Sequence, residues 1–207
     1  MSASCCNSAC APQTTLSPGY RKALWIALIV NVIMFAIEIG GGLKSGSVSL
    51  FADAVDFAGD AANYGISLAV LSMGLAWKSR AALMKGASMV AFGLFILGKT
   101  GWAAFCGLPP EPSIMGAIAV LALIANGGVA LMLYAFRKGD ANMRSVWLCS
   151  RNDAIGNIAV MAAAAGVLGT GTAWPDLAVA LLMGGLALFS GISVIGHARL
   201  ELLEEAV

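Results

Sequence analysis

The chain has 207 residues, 59% hydrophobic and 11% charged, with a mean hydropathy of +0.86. Soluble domains carry about 25% charged residues, so this composition excludes a water-soluble globular protein and points to one embedded in lipid. A formal net charge of +1 offers no basic footprint for nucleic acid, which is excluded as a partner.

Residues 1–22 read as a polar tail carrying Cys5, Cys6 and Cys10. The tail lacks the charged start, apolar middle and small-residue cleavage site of a signal peptide. In a cytoplasmic tail these thiols stay reduced. Three such thiols suit a soft metal ion, or they are incidental cysteines of a disordered tail; both readings stand. Six apolar segments follow, near residues 23–43, 47–77, 82–106, 113–136, 145–168 and 174–197. Each is long enough for the roughly 20 residues that a membrane helix needs. The fold class expected is therefore an all-α membrane protein of six transmembrane helices. One six-helix domain covers 23–199, with a short tail at 200–207. The second segment is longer than the bilayer, so part of it tilts or extends past it.

Basic residues set the orientation. Arg21, Lys22, Lys78, Arg80, Lys85, Arg137, Lys138, Arg144 and Arg199 all fall on one side if the segments alternate. The opposite side has Lys44, with Lys99 near a helix end. This bias predicts both termini in the cytoplasm of a multi-pass protein of the plasma (inner) membrane.

The first segment carries Asn31 and Glu38, seven residues apart and so on one face, and the Gly40-Gly41-Gly42 run is expected to end it. The second opens with Asp53, Asp56 and Asp60, followed by Asn63. On a helix the three aspartates fall within about 60° of one another. A buried charge costs roughly 2.5–3.5 kcal/mol on insertion scales, and an acidic stripe in lipid marks an ion or proton pathway. The competing reading is an interhelical hydrogen-bond network with protonated aspartates.

In the third segment, Gly93-Leu94-Phe95-Ile96-Leu97-Gly98-Lys99-Thr100 matches a phosphate-loop pattern literally. That mechanism needs an exposed glycine-rich loop between a strand and a helix. Here the intervening residues are apolar and lie in a membrane segment, so ATP binding is rejected and Lys99 reads as a snorkelling lysine. Leu108-Pro109-Pro110-Glu111-Pro112 is a loop. The fifth segment holds Asp153 and Asn157, four apart and on one face, with Arg151 pointing nearly the opposite way. If the second and fifth helices pack together, Asp56, Asp60, Asp153 and Asn157 offer oxygen ligands to a divalent cation. Oxygen donors favour hard ions, whereas zinc sites generally add His or Cys. Cys106 and Cys149 read as buried small residues, and His197 as interfacial. Asp176 reads as a first-turn helix residue favoured by the helix dipole.

With these residues in hand, the sequence resembles the cation diffusion facilitator family of metal transporters. The likeness is carried by Asn31 through Glu38 and by Ser45-Gly46-Ser47-Val48-Ser49-Leu50-Phe51-Ala52-Asp53-Ala54-Val55-Asp56 with Asp60. Trp174, Pro175 and Asp176 also fit, and the likeness spans all six segments. The Asp56-x-x-x-Asp60 spacing matches that family's metal-binding pair. The family's fifth helix usually supplies His or Asp and, four residues on, Asp. In straight register those positions are Gly156 and Val160, so Asp153 and Asn157 predict a site displaced towards the cytoplasm or reshaped. Many members also carry a soluble C-terminal domain. The expectation here is a compact form without it, with any homodimer held through membrane helices.

The resemblance implies a transporter rather than an enzyme, with no prosthetic group. Its cargo is zinc or cobalt first, then cadmium, iron or manganese, exported by proton-coupled alternating access. Asp56, Asp60, Asp153 and Asn157 lead the candidate ligands. Asp53, Glu38, Asn31, Cys5, Cys6 and Cys10 form a secondary set. Two other classes remain open: a membrane metal-dependent phosphotransferase, and a thiol-relay heavy-metal uptake protein.

Overall fold

The computed structural model describes residues 18–69, 75–136 and 141–205. Those residues form six helices and no strand: α1 (Pro18–Ser45), α2 (Val48–Ala69), α3 (Leu75–Cys106), α4 (Pro112–Tyr134), α5 (Ala141–Thr170) and α6 (Trp174–Glu205). All but α2 are long and apolar enough to cross a bilayer by length and composition. The 22 residues of α2 span about 33 Å at 1.5 Å per residue, enough for a hydrocarbon core of about 30 Å. Its aspartates alone set it apart. The chain is an all-α, multi-pass membrane protein.

Several boundaries differ from the sequence reading. The predicted second segment ran to residue 77, but α2 ends at Ala69 and Leu75-Ala76-Trp77 belong to α3. The α1 helix is described from Pro18, earlier than the residue 23 expected. The triple glycine does not end α1. The helix continues to Ser45, and Gly46 at φ +74° turns the chain. A side chain on Gly41 would collide with Ile118 of α4, and one on Gly42 would come within 3.1 Å of the Phe51 ring. These two glycines serve close helix approach rather than termination.

Neighbouring helices α1 and α2 pair along their length, as do α4 and α5, and α1 also packs on α4. The tightest pairing is α3 with α6. There Gly86 and Gly93 of α3 face Gly191 and Gly184 of α6, close enough that a Cβ added at Gly86, Gly93 or Gly191 would meet backbone of the other helix, and one at Gly184 the Ile96 side chain. Small residues at such crossings let backbones approach, which drives helix association where lipid supplies no hydrophobic gradient. The α2 helix is central, touching α1, α3, α5 and α6.

Two large apolar clusters divide the interior. One gathers Val48, Leu50, Phe51, Ile96, Met115, Val160 and Leu177 near the start of α2. The other gathers Tyr20, Leu24, Tyr64, Val129 and Leu133 near its end. Met34, Phe57 and Ala122 make a smaller cluster between them. The acidic residues of α2 lie along the stretch these clusters bracket.

Candidate metal centre

The position of α2 is set first at its N-terminus. A helix leaves its first four N–H groups without internal partners. Ser47 precedes the helix, and its Oγ accepts from Leu50 N at 3.2 Å, the usual work of an N-cap serine. The next two donors are met from α6. Asp176 accepts from Val48 N at 2.8 Å and from Ser49 N at 3.2 Å. The hydroxyls of Ser47 and Ser49 each donate to the same carboxylate at 2.6 Å. Asp176 is buried in the first turn of α6. Its charge therefore serves the dipole of α2 as well as that of its own helix. The sequence reading had it serving α6 alone. Beside this clasp, Lys99 Nζ stands 3.8 Å from the centre of the Phe51 ring, and Glu111 N donates to Ser45 O at 2.8 Å.

Along α2 the three aspartates have different surroundings. Asp53 is buried and faces Glu38 of α1, whose nearest charged neighbour it is, with Asp56 further off. Both Glu38 carboxyl oxygens and Asp53 Oδ2 are buried without a hydrogen-bond partner among the described residues. Asn31, also buried, donates Nδ2 to Ala27 O at 2.8 Å, while its Oδ1 is unpartnered. Asp56 is exposed in the isolated chain. Asp60 is half-buried and turned towards α5.

Asp60 and Asp153 meet there. Asp60 is the strongest charged influence on Asp153 and within hydrogen-bonding reach, followed by Asp56 and then Asp53. Tyr64 donates its hydroxyl to Asp60 Oδ2 at 3.2 Å and shares a 2.7 Å hydrogen bond with Ser150 Oγ. Asn157, one turn beyond Asp153, is fully buried, and neither of its amide atoms has a partner among the described residues. The interior between α2 and α5 thus holds two facing carboxyls, an unpartnered amide and a tyrosine–serine pair. Two unit charges about 4 Å apart interact by about 4 kcal/mol at an effective dielectric of 20. Bare carboxylates in this position repel, and a divalent cation or a proton reverses the sign. Among the described residues, no three Asp, Glu, His or Cys side chains gather into a ready metal-binding group.

The condition set by the sequence, that the second and fifth helices pack together, is met. Asp153 comes to Asp60, while Asp53 turns to α1. The displacement expected from straight register does not separate Asp153 from α2. Val160 instead belongs to the apolar core, and Gly156 has open space around it. Cys106, expected to be buried, is exposed at the end of α3, because the helix carries it past its packed neighbours. The side chain of Cys149 and the residues Cys5, Cys6 and Cys10 lie outside the described residues. His197 is exposed with Nδ1 2.8 Å from Ser193 O, and Arg151 is exposed beside Asn152 and Trp147. The phosphate-loop match lies inside the unbroken α3 helix, with Gly93 pressed on α6.

Sequence reasoning missed Tyr64 and Ser150. Tyr64 stands four residues after Asp60, a helical spacing that puts the two side chains on one face. That signal was available. The bond from Asp176 to Ser47 and Ser49 spans 129 and 127 positions and had no local signature.

The model of the cation efflux transmembrane domain matches residues 24–203, which takes in all six helices. The chain belongs to the cation efflux family. Among curated relatives, the metal cation efflux system protein CzcD of Cupriavidus metallidurans is 29% identical over 182 residues, covering 80% of this chain and 56% of that protein. The cadmium, cobalt and zinc/H(+)-K(+) antiporter of Bacillus subtilis is 25% identical, covering 84% and 60%. The zinc transporter ZitB of Pectobacterium atrosepticum is 26% identical, covering 90% and 62%. This cation efflux domain therefore spans less than two thirds of the length of each of these relatives.

Proposed function

We propose that the chain carries a divalent transition-metal cation, zinc or cobalt first, out of the cytoplasm by alternating access coupled to inward proton flow. The observation that supports this most is the meeting of Asp60 and Asp153, from two different helices, in the membrane interior beside the unpartnered Asn157. Interior ionisable groups of this kind mark ion pathways, and relatives whose names specify zinc, cobalt and cadmium transport agree with it. Asp56, Asp60, Asp153 and Asn157 hold the cation. Asp53, Glu38 and Asn31 line the neighbouring pair of α1 and α2, and the cysteines of residues 5–10 capture metal before entry.

In this reading both termini are cytoplasmic. The cation enters from that side and replaces protons on the carboxyls; after the helices rock, protons from outside return and release it. Neutralisation at every stage keeps the cost of carboxylates in a low-dielectric interior tolerable. The working unit is a homodimer joined through membrane helices.

The test is flux of zinc, cobalt, cadmium and manganese into proteoliposomes, with and without an imposed pH gradient. Wild type is compared with Asp60→Ala and with Asp56→Ala/Asp60→Ala. Gradient-driven flux that both variants lose is the expected result. Flux that survives the double substitution would refute the carboxylate pathway, and flux indifferent to the gradient would refute the coupling.

A further inference from the structure

We propose that Leu50 of α2 and Val160 of α5 form an apolar gate that shuts the cation pathway where α2 begins, while the site stays accessible from the other end. The inference rests on the reading of Asp56, Asp60, Asp153 and Asn157 as cation ligands, and adds what separates them from the outer solution.

Burial along α2 is lopsided. Every residue from 47 to 54 is buried, whereas from 55 to 69 only Phe57, Ala61 and Tyr64 are. Asp56 is exposed, and Gly59, Asp60, Asn63 and Ser67 are half-buried. These positions recur at three and four residues, so they share one accessible face that runs towards the end of α2. Acids within a membrane face the bundle interior or a water-filled cavity rather than lipid. Water therefore reaches Asp56 and Asp60 from the end of α2, which the transport reading places in the cytoplasm. The apolar cluster around Tyr64 packs on α1 and α4 and leaves that face open.

The other end is closed, and the contacts between α2 and α5 fix the level of the closing side chains. Tyr64 meets Ser150 at 2.7 Å, and Asp60 comes within hydrogen-bonding reach of Asp153. The two helices thus run antiparallel with those pairs side by side. One turn towards the start of α2, Asp56 comes level with Asn157. A further turn brings Asp53 level with Val160, which stands seven residues after Asp153 and so on the same face of α5. Leu50 lies one turn beyond Asp53. Val160 and Leu50 are both fully buried and belong to one apolar cluster with Met115 of α4 and Leu177 of α6. An apolar constriction of this kind stops ions by dewetting, with no charged barrier. A cation released outward has to pass this layer, so the layer parts when the helices rock.

The experiment follows proton leak into metal-free proteoliposomes, with an entrapped pH dye and an imposed membrane potential, for wild type, Val160→Thr and Leu50→Ala. Zinc flux is measured on the same preparations. Threonine keeps the shape of valine while adding a hydroxyl that water can wet, and alanine leaves room where the Leu50 side chain stood. The expected result is a leak on the order of tenfold above wild type in Val160→Thr, equivalent to about 1.36 kcal/mol off the barrier. Leu50→Ala is expected to raise it by a smaller factor. Adding Asp56→Ala/Asp60→Ala should return the leak to the wild-type level, because the protons cross by way of those carboxyls. A leak that persists without the carboxyls, or no rise in either gate variant, overturns the proposal. Loss of zinc flux with no leak does the same, because it marks Val160 and Leu50 as packing residues alone. If Val160→Thr does not fold, Leu50→Ala decides by the same comparison. Wild-type vesicles that move no zinc would refute the transport reading itself, whereas zinc flux with no leak in either variant refutes only the gate.

Discussion

Replacing Asp176 by alanine removes the acceptor that holds the start of α2 against α6. Four donors converge on that carboxylate: Val48 N, Ser49 N, Ser47 Oγ and Ser49 Oγ. The two hydroxyls lie 3.3 Å apart and can turn to each other, so their loss is cushioned. The two backbone N–H groups have no such recourse, since Ser47 already serves Leu50. A hydrogen bond to a charged group contributes about 1.5–3 kcal/mol, and a buried donor left without a partner forfeits that. The expected loss is about 3–4 kcal/mol for Asp176→Ala and about half that for Asp176→Asn, which keeps an acceptor oxygen but not the charge. At about 2–4 °C per kcal/mol for a chain of this size, Asp176→Ala should melt roughly 10 °C below wild type. Thermal unfolding of detergent-solubilised protein, followed by tryptophan fluorescence, reads the shift. Ser47→Ala supplies the companion measurement, with an N-cap loss of about 1 kcal/mol. The two effects should couple when combined, because the side chains share partners. Melting of Asp176→Ala within about 2 °C of wild type would refute the reasoning, since that corresponds to less than about 1 kcal/mol.

Two more predictions concern stability. Gly93→Ala places a Cβ 2.9 Å from Leu188 N and 3.1 Å from Gly184 O, forcing α3 and α6 apart at a cost of about 1–3 kcal/mol. Gly98→Ala meets nothing within 4 Å and should gain about 0.5–1 kcal/mol from helix propensity. Melting temperatures that move in the same direction would contradict this account. Glu38→Gln replaces a buried carboxyl that has no donor among the described residues with an amide that can donate to Asp53. It should raise stability by about 1 kcal/mol, whereas Glu38→Ala opens a cavity and lowers it. A Glu38→Gln protein as unstable as Glu38→Ala would show that the carboxyl itself is required for packing.

Legibility in the sequence followed the range of the interactions. The stripe of Asp53, Asp56 and Asp60 was readable because helical periodicity places residues three and four apart on one side. The pairing of Asp60 with Tyr64 was readable for the same reason, although it was not read. The split of the stripe was not readable. Asp53 and Asp60 lie within about 20° of each other but about 10 Å apart along the helix, so Asp53 can meet Glu38 of α1 while Asp60 meets Asp153 of α5, and only the neighbours decide which happens. The glycines of α1 misled for a related reason. Glycine is both a helix terminator and a surface for close approach, and Ile118, far along the chain, determines which role Gly41 plays.

The sequence by itself determined the solvent, the number of helices and the face of α2 that carries charge. Those follow from the cost of polar groups in lipid and from the geometry of a single helix. The tertiary structure decided where α2 begins, which carboxyls meet and which oxygens have donors. Asp176 caps a helix that starts 128 residues before it, and Ser150 reaches Tyr64 across 86 residues. Neither contact has a local signature, because each depends on how two helices are set against each other and on no property of either segment alone.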